Sequence, residues 1–176
     1  MKSSTQLKAK ARNLSAKTSI LPHIIQRNYF LERFLERLSL SLHKDSIILK
    51  GGVLITAILG IEARSTMDLD ATMKERKLST EDILKIVGEV INTPVDDGVT
   101  FTVVGVEETR GEENYPGFRI TIGVTLDKLR DTVKIDFTAG DVITPKPVEY
   151  KYRLMFEDRE IRVFAYNLET VLSESL

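Results

Sequence analysis

Asp68 and Asp70 stand one residue apart in the segment TMDLDA, and Met67, Leu69 and Ala71 alternate with them. That period of two predicts a strand with both carboxylates on one face and the apolar residues on the other. At about 3.3 Å rise per residue the two acids would have Cα atoms roughly 6.6 Å apart. Carboxylates that close repel each other unless positive charge lies between them. A hard cation such as Mg²⁺ meets that need, because it takes oxygen ligands and leaves positions open for water and phosphate oxygens. The plain alternative is a solvated polar face. The segment TVKIDF repeats the pattern, with Lys134 and Asp136 on one face and Val133, Ile135 and Phe137 on the other. If the two strands are neighbours, Asp136 completes a three-carboxylate set able to hold two ions for phosphoryl chemistry, with Lys134 beside it to neutralise phosphate charge. Here the plain alternative is a Lys–Asp pair on a wet sheet.

A third group precedes these acids. Lys50, Gly51 and Gly52 lie between a short apolar run and a segment with helical character. Backbone without a Cβ lets a ligand approach closely, and free N–H groups at a helix start attract an anion. A tight strand-to-helix turn would need the same residues. Arg64 and Thr66 come a few residues before Asp68 and join Lys50, Gly51 and Gly52 as candidate nucleotide-binding residues; Arg64 could equally pair with Glu62 or with an acid of the cluster.

The elements that must position these residues follow from periodicity. Phe30, Leu31, Phe34, Leu35, Leu38 and Leu42 recur at helical spacing, with Glu32, Arg33, Glu36 and Arg37 expected on the opposite face. Ser46–Leu49 reads as a strand, Val53–Leu59 as a buried helix and Met67–Ala71 as a strand. Leu78–Val90 is an amphipathic helix whose start is signalled by Ser79 and Asp82. Strands are predicted over Val99–Val106, Phe118–Leu126, Thr132–Thr138, Val148–Phe156 and Arg159–Ala165, and Asn167 opens a final helix. Helices first and strands later give an α+β domain with a mixed or antiparallel sheet.

Composition sets bounds on function. The chain has 176 residues and a formal net charge of −1, so any nucleic-acid contact must use a local basic patch. Lys2, Lys8, Lys10, Arg12 and Lys17 offer one, with no acid among residues 1–22; a solvated helix is the simpler reading. No apolar run is long enough to span a bilayer and no signal-peptide pattern is present, so a cytoplasmic protein without membrane partners is expected. There is no cysteine, and His23 and His43 are the only histidines, which argues against thiolate or multi-histidine zinc sites.

The order of these motifs resembles the DNA polymerase β-like nucleotidyltransferases. In finer detail, LKGGVLITAILGIEARSTMDLDATM and VKIDF resemble the two motifs of the AbiEii/AbiGii toxin family of abortive-infection and type IV toxin–antitoxin systems. NYFLERFLERLSLS and LKAKARNLSAK also look like that family's N-terminal region. The resemblance implies a polymerase β-like α+β fold, with a basic arm over residues 1–27, a nucleotidyltransferase core over 28–165 and the start of a C-terminal helical region over 166–176. It implies an NTP substrate, Mg²⁺, one ion or two, a tRNA or other RNA acceptor, and an antitoxin protein encoded nearby. It assigns the triphosphate to Gly51 and Gly52, the metals to Asp68 and Asp70, third ligand or general base to Asp136, and phosphate contacts to Lys134 and Arg64. The chain departs from the family in placing Ser175 after Glu174, where a lysine is usual. The alternative is an inactive or truncated nucleotide- or partner-binding domain of the same fold. A metal-dependent glycosyltransferase also uses D-x-D, but no βαβ run leads into it here.

Overall fold

The computed structural model describes residues 2–50, 68–74, 78–110, 116–140 and 146–166. Gly51, Gly52, Arg64, Thr66, the helix predicted over 53–59 and the one predicted after Asn167 lie outside the described residues.

The chain opens with helix α1 (Ser4–Thr18), whose first turn is capped by the Ser3 hydroxyl accepting from the Gln6 N–H. Helix α2 (Pro22–Leu40) starts with proline, which suits the first turn because its missing N–H would have no partner there. It therefore begins ahead of Asn28, where the apolar spacing first becomes regular. Strand β1 (Ile47–Lys50), strand β2 (Asp68–Met73) and helix α3 (Thr80–Ile91) follow. The start of α3 is the capping box its sequence announces. The Ser79 hydroxyl accepts from the Asp82 N–H and the Asp82 carboxylate accepts from the Ser79 N–H. Strands β3 (Val99–Arg110), β4 (Pro116–Leu126), β5 (Leu129–Ala139), β6 (Val148–Arg153) and β7 (Glu160–Ala165) complete the described chain.

The strands form one seven-stranded sheet in the order β3-β4-β5-β2-β1-β7-β6. It is mixed: β2 pairs with β5 and β1 with β7 in parallel, and the other neighbours are antiparallel. One face carries Leu49, Leu69, Ala71, Ile120, Ile122, Val133, Ile135, Phe137 and Val163, all buried in a single core with the helices. Helix α2 lies at the centre of that layer, touching α1, α3, β5 and β7.

The burial of α2 differs from the amphipathic expectation. Every residue from Asn28 to Leu38 is buried, including Glu32, Arg33, Glu36 and Arg37. A helix buried on all sides must pair its charges internally. Arg37 forks onto Asp97, with Nη1 and Nη2 donating at 2.8 and 2.9 Å, and Nη2 also donates to the Val99 carbonyl. Arg33 donates to Glu36 at 2.7 Å, Glu36 also accepts from Arg159, and Glu32 accepts from the Met155 N–H. The partners Asp97 and Arg159 lie far off in sequence, so periodicity within the helix could not show them. No described helix is long and apolar enough to cross a membrane.

Candidate active site

Strand register assembles the second charged region. In the parallel β2–β5 pair, Asp70 lies opposite Asp136 and Asp68 opposite Lys134. In the antiparallel β1–β2 pair, Lys50 lies opposite Asp70. In the β4–β5 hairpin, Arg119 lies opposite Asp136, and Glu107 of β3 lies opposite Arg119. A continuous row thus crosses five strands: Lys50, Asp70, Asp136, Arg119, Glu107. Asp68 and Lys134 sit one pleat along it. Residues in register share a face, so all of these lie on the side away from the α2 core. Alternating burial on β5 agrees: Val133, Ile135 and Phe137 are buried, Lys134 is exposed and Asp136 intermediate.

One end of this face is closed. Ile48 and Thr72 are buried, and the Tyr166 hydroxyl donates to Thr72 Oγ1 at 2.9 Å. Two and four residues back along β2, Asp70 and Asp68 are half-buried. The acids therefore stand where a covered sheet face becomes accessible.

Charge in the row is only partly neutralised. Arg119 donates from Nε to Asp136 Oδ1 at 2.7 Å and from Nη2 to Oδ2 at 3.1 Å. Among the described residues Asp70 has no such fork. Burial raises its pKa above the usual carboxylate value, and the like charges of Asp136 and Asp68 add to the rise; Lys50 and Arg119 oppose it without cancelling it. A half-buried carboxylate beside two others attracts a cation. The donors are all hard oxygens, which suit Mg²⁺ or Mn²⁺. Among the described residues no three acids or histidines gather closely enough to cage an ion. The set fits an anchor of one or two carboxylates completed by ligand oxygens, which is the usual way Mg²⁺ is held with phosphates.

Asp68, Asp70, Lys134, Asp136 and Lys50 are thus brought to one face. Arg119 was not foreseen. Its signal was present in the hairpin: Leu126 pairs with Leu129 around a turn at 127–128, where Asp127 adopts φ of 55°. Counting back equally along both strands sets Arg119 against Asp136. A cavity of about 340 Å³ lies elsewhere, lined by His43, Ser46, Met73, Lys74, Lys85 and Glu89 beyond the far end of β2. Its His43–Glu89 pair at 2.8 Å is remote in register from the acids.

Comparison with known proteins agrees with the motifs. Two solved structures from Helicobacter pylori share the fold. The crystal structure of JHP933 aligns with TM-score 0.53 at 12% identity, over 86% of this chain and 55% of that one. A second, described as a candidate nucleotidyltransferase, aligns with TM-score 0.52 at 12% identity, over 88% and 58%. The chain spans a little over half the length of each. No curated protein matches it. The family model described as nucleotidyl transferase AbiEii toxin, type IV TA system, matches residues 33–176. With that match covering most of its length, the chain belongs to the AbiEii nucleotidyltransferase toxin family of type IV toxin–antitoxin systems.

Proposed function

We propose that the chain carries the catalytic core of a cytoplasmic toxin that transfers a nucleotide from an NTP to an RNA, with tRNA as the acceptor, on a polymerase β-like fold. The observation that carries this reading is the parallel β2–β5 register, which sets Asp70 against Asp136 beside Asp68. Family membership supplies the reaction class and implies a separate antitoxin partner.

In this reading Asp68 and Asp70 hold the divalent cation, and Asp136 is the further ligand or general base. When bound, Mg²⁺, as one ion or two, supplies positive charge against that developing on the α-phosphate. Lys134, opposite Asp68, and Lys50, opposite Asp70, lie where ammonium groups attract the triphosphate. Gly51, Gly52, Arg64 and Thr66 are proposed as nucleotide contacts on the resemblance. An acceptor hydroxyl attacks the α-phosphate, the bond to the β-phosphate oxygen breaks and pyrophosphate leaves. Incorporation of label from each α-³²P NTP into tRNA with Mg²⁺ tests the reading. Transfer by the wild type and its loss in Asp68→Ala are expected. No NTP-induced rise in Tm and no transfer by the wild type would end it.

The second reading, nucleotide or partner binding without turnover, is favoured by one contact: Arg119 engages both oxygens of Asp136. NTP binding without transfer selects it.

A further inference from the structure

The Arg119–Asp136 fork has a chemical consequence for the acidic row. Asp136 lies between Asp70 on β2 and Arg119 on β4. Paired main-chain ladders on both sides fix all three backbones, so only side-chain rotation can change how the charges meet. Both oxygens of Asp136 already accept from Arg119. Such a fork matches a carboxylate's geometry and directs its charge toward the guanidinium. Asp70, on the other side, has no comparable fork among the described residues.

The fork is also placed to open. The Arg119 side chain is 43% exposed, so it can rotate without crossing the core. Glu107, opposite Arg119 on the outer strand β3, offers a second carboxylate, and its charge already acts on the guanidinium. Arg119 thus stands between Asp136 on β5 and Glu107 on the outer strand β3, with the charge of Asp68 acting on it as well.

We propose that Arg119 is the built-in counter-ion of Asp136 and sets the affinity of the acidic row for divalent cations, because guanidinium and ion compete for one carboxylate. This rests on the reading of Asp68 and Asp70 as a cation site. The fork has Arg119 holding Asp136. A divalent ion held at Asp70 would draw Asp136 toward it and leave Arg119 to pair with Glu107 or with a phosphate oxygen. Arg119 is a positioning residue, acting through Asp136.

The test is Mn²⁺ binding without nucleotide, followed by titration calorimetry and by the loss of free-ion EPR signal. Arg119→Gln should bind Mn²⁺ about three- to tenfold more tightly than wild type, the factor expected for removing one partly screened competing charge. Arg130→Gln removes the same charge from the same face of β5, well away from Asp136, and should leave affinity within about twofold by the same screening. If Arg119→Gln fails to fold, Glu107→Gln on the outer strand tests the idea in the other direction, by weakening Mn²⁺ binding. Equal or weaker binding by folded Arg119→Gln overturns the proposal, as does equal tightening by Arg130→Gln. If Asp70→Asn abolishes binding while Arg119→Gln has no effect, the cation site stands and the proposal alone fails. No Mn²⁺ binding in either wild type or Arg119→Gln ends both.

Discussion

Two charged regions lie on opposite sides of one sheet and obey different rules. On the helical side, Glu32, Glu36 and Asp97 meet Arg33 and Arg37 in a buried network, with the half-exposed Arg159 at its rim. On the other side, Asp68, Asp70 and Asp136 line up with one tight guanidinium fork among them. The first region pairs its buried charges, or in Glu32 keeps a proton, because an unpaired ion away from water costs several kcal/mol. The second leaves Asp70 under-compensated where water and ligands reach it. A chain that pairs Arg33, Arg37, Glu36 and Asp97 in its core can pair three half-buried carboxylates. An Asp70 carboxylate without a guanidinium fork among the described residues is what the proposed cation site requires.

The largest effect on stability is expected in the buried network. Among the described residues, Arg37→Met leaves Asp97 with the Val99 N–H at 3.0 Å and Arg33 at 3.6 Å, and no forked guanidinium. It should cost about 3–5 kcal/mol in urea denaturation, or roughly 6–20 °C in Tm. A loss under about 1 kcal/mol would mean that the network is no more demanding than a surface pair.

The next effect depends on pH. Burial raises the Glu32 pKa from its usual 4.5 to about 7, against the opposing Met155 N–H and Arg33. The folded chain thus keeps this proton where the unfolded chain has released it. The stability it contributes is fully present below the unfolded pKa and is lost as pH rises through about 7. Wild type should lose on the order of 2–3 kcal/mol through this group between pH 4.5 and 7, and Glu32→Gln should not. Parallel stability–pH curves for the two proteins would remove Glu32 from the account. Glu36 has the opposite sign: hydrogen bonding to Arg159 lowers its pKa, so its contribution is lost as acid titrates it.

Arg159→Ala should do less, about 1 kcal/mol, because its guanidinium is half exposed and Arg33 still faces Glu36. A loss as large as that of Arg37→Met would put Arg159 inside the network rather than at its rim.

Legibility followed the range of the signals. Alternation and capping are local, so β2, β5 and the start of α3 could be read directly, and with them the shared face of Asp68 and Asp70 and that of Lys134 and Asp136. The family motifs were equally plain. The adjacency of β2 and β5 was a guess the sequence could not make firm, since a parallel pair has no connecting hairpin to count from. Arg119 was countable from the 127–128 turn but carried no motif. Glu32, Arg33, Glu36 and Arg37 misled because charged residues at helical spacing usually mark a wet face; their burial depends on Asp97, Arg159 and the Met155 N–H, set in place only by the tertiary fold.

The smallest expected effect on folding belongs to Asp70, and with it the sharpest contrast. Its raised pKa means that its charge disfavours the folded chain at neutral pH, so Asp70→Asn should leave stability unchanged or slightly higher. The same change removes the oxygen charge needed to hold a cation. The most direct measurement is nucleotide incorporation into RNA by Asp70→Asn and wild type, at a protein concentration and temperature where both are folded. The account predicts at least about a hundredfold loss of transfer with no loss of Tm, the scale on which essential electrostatic groups act. Transfer at the wild-type rate by folded Asp70→Asn would contradict it.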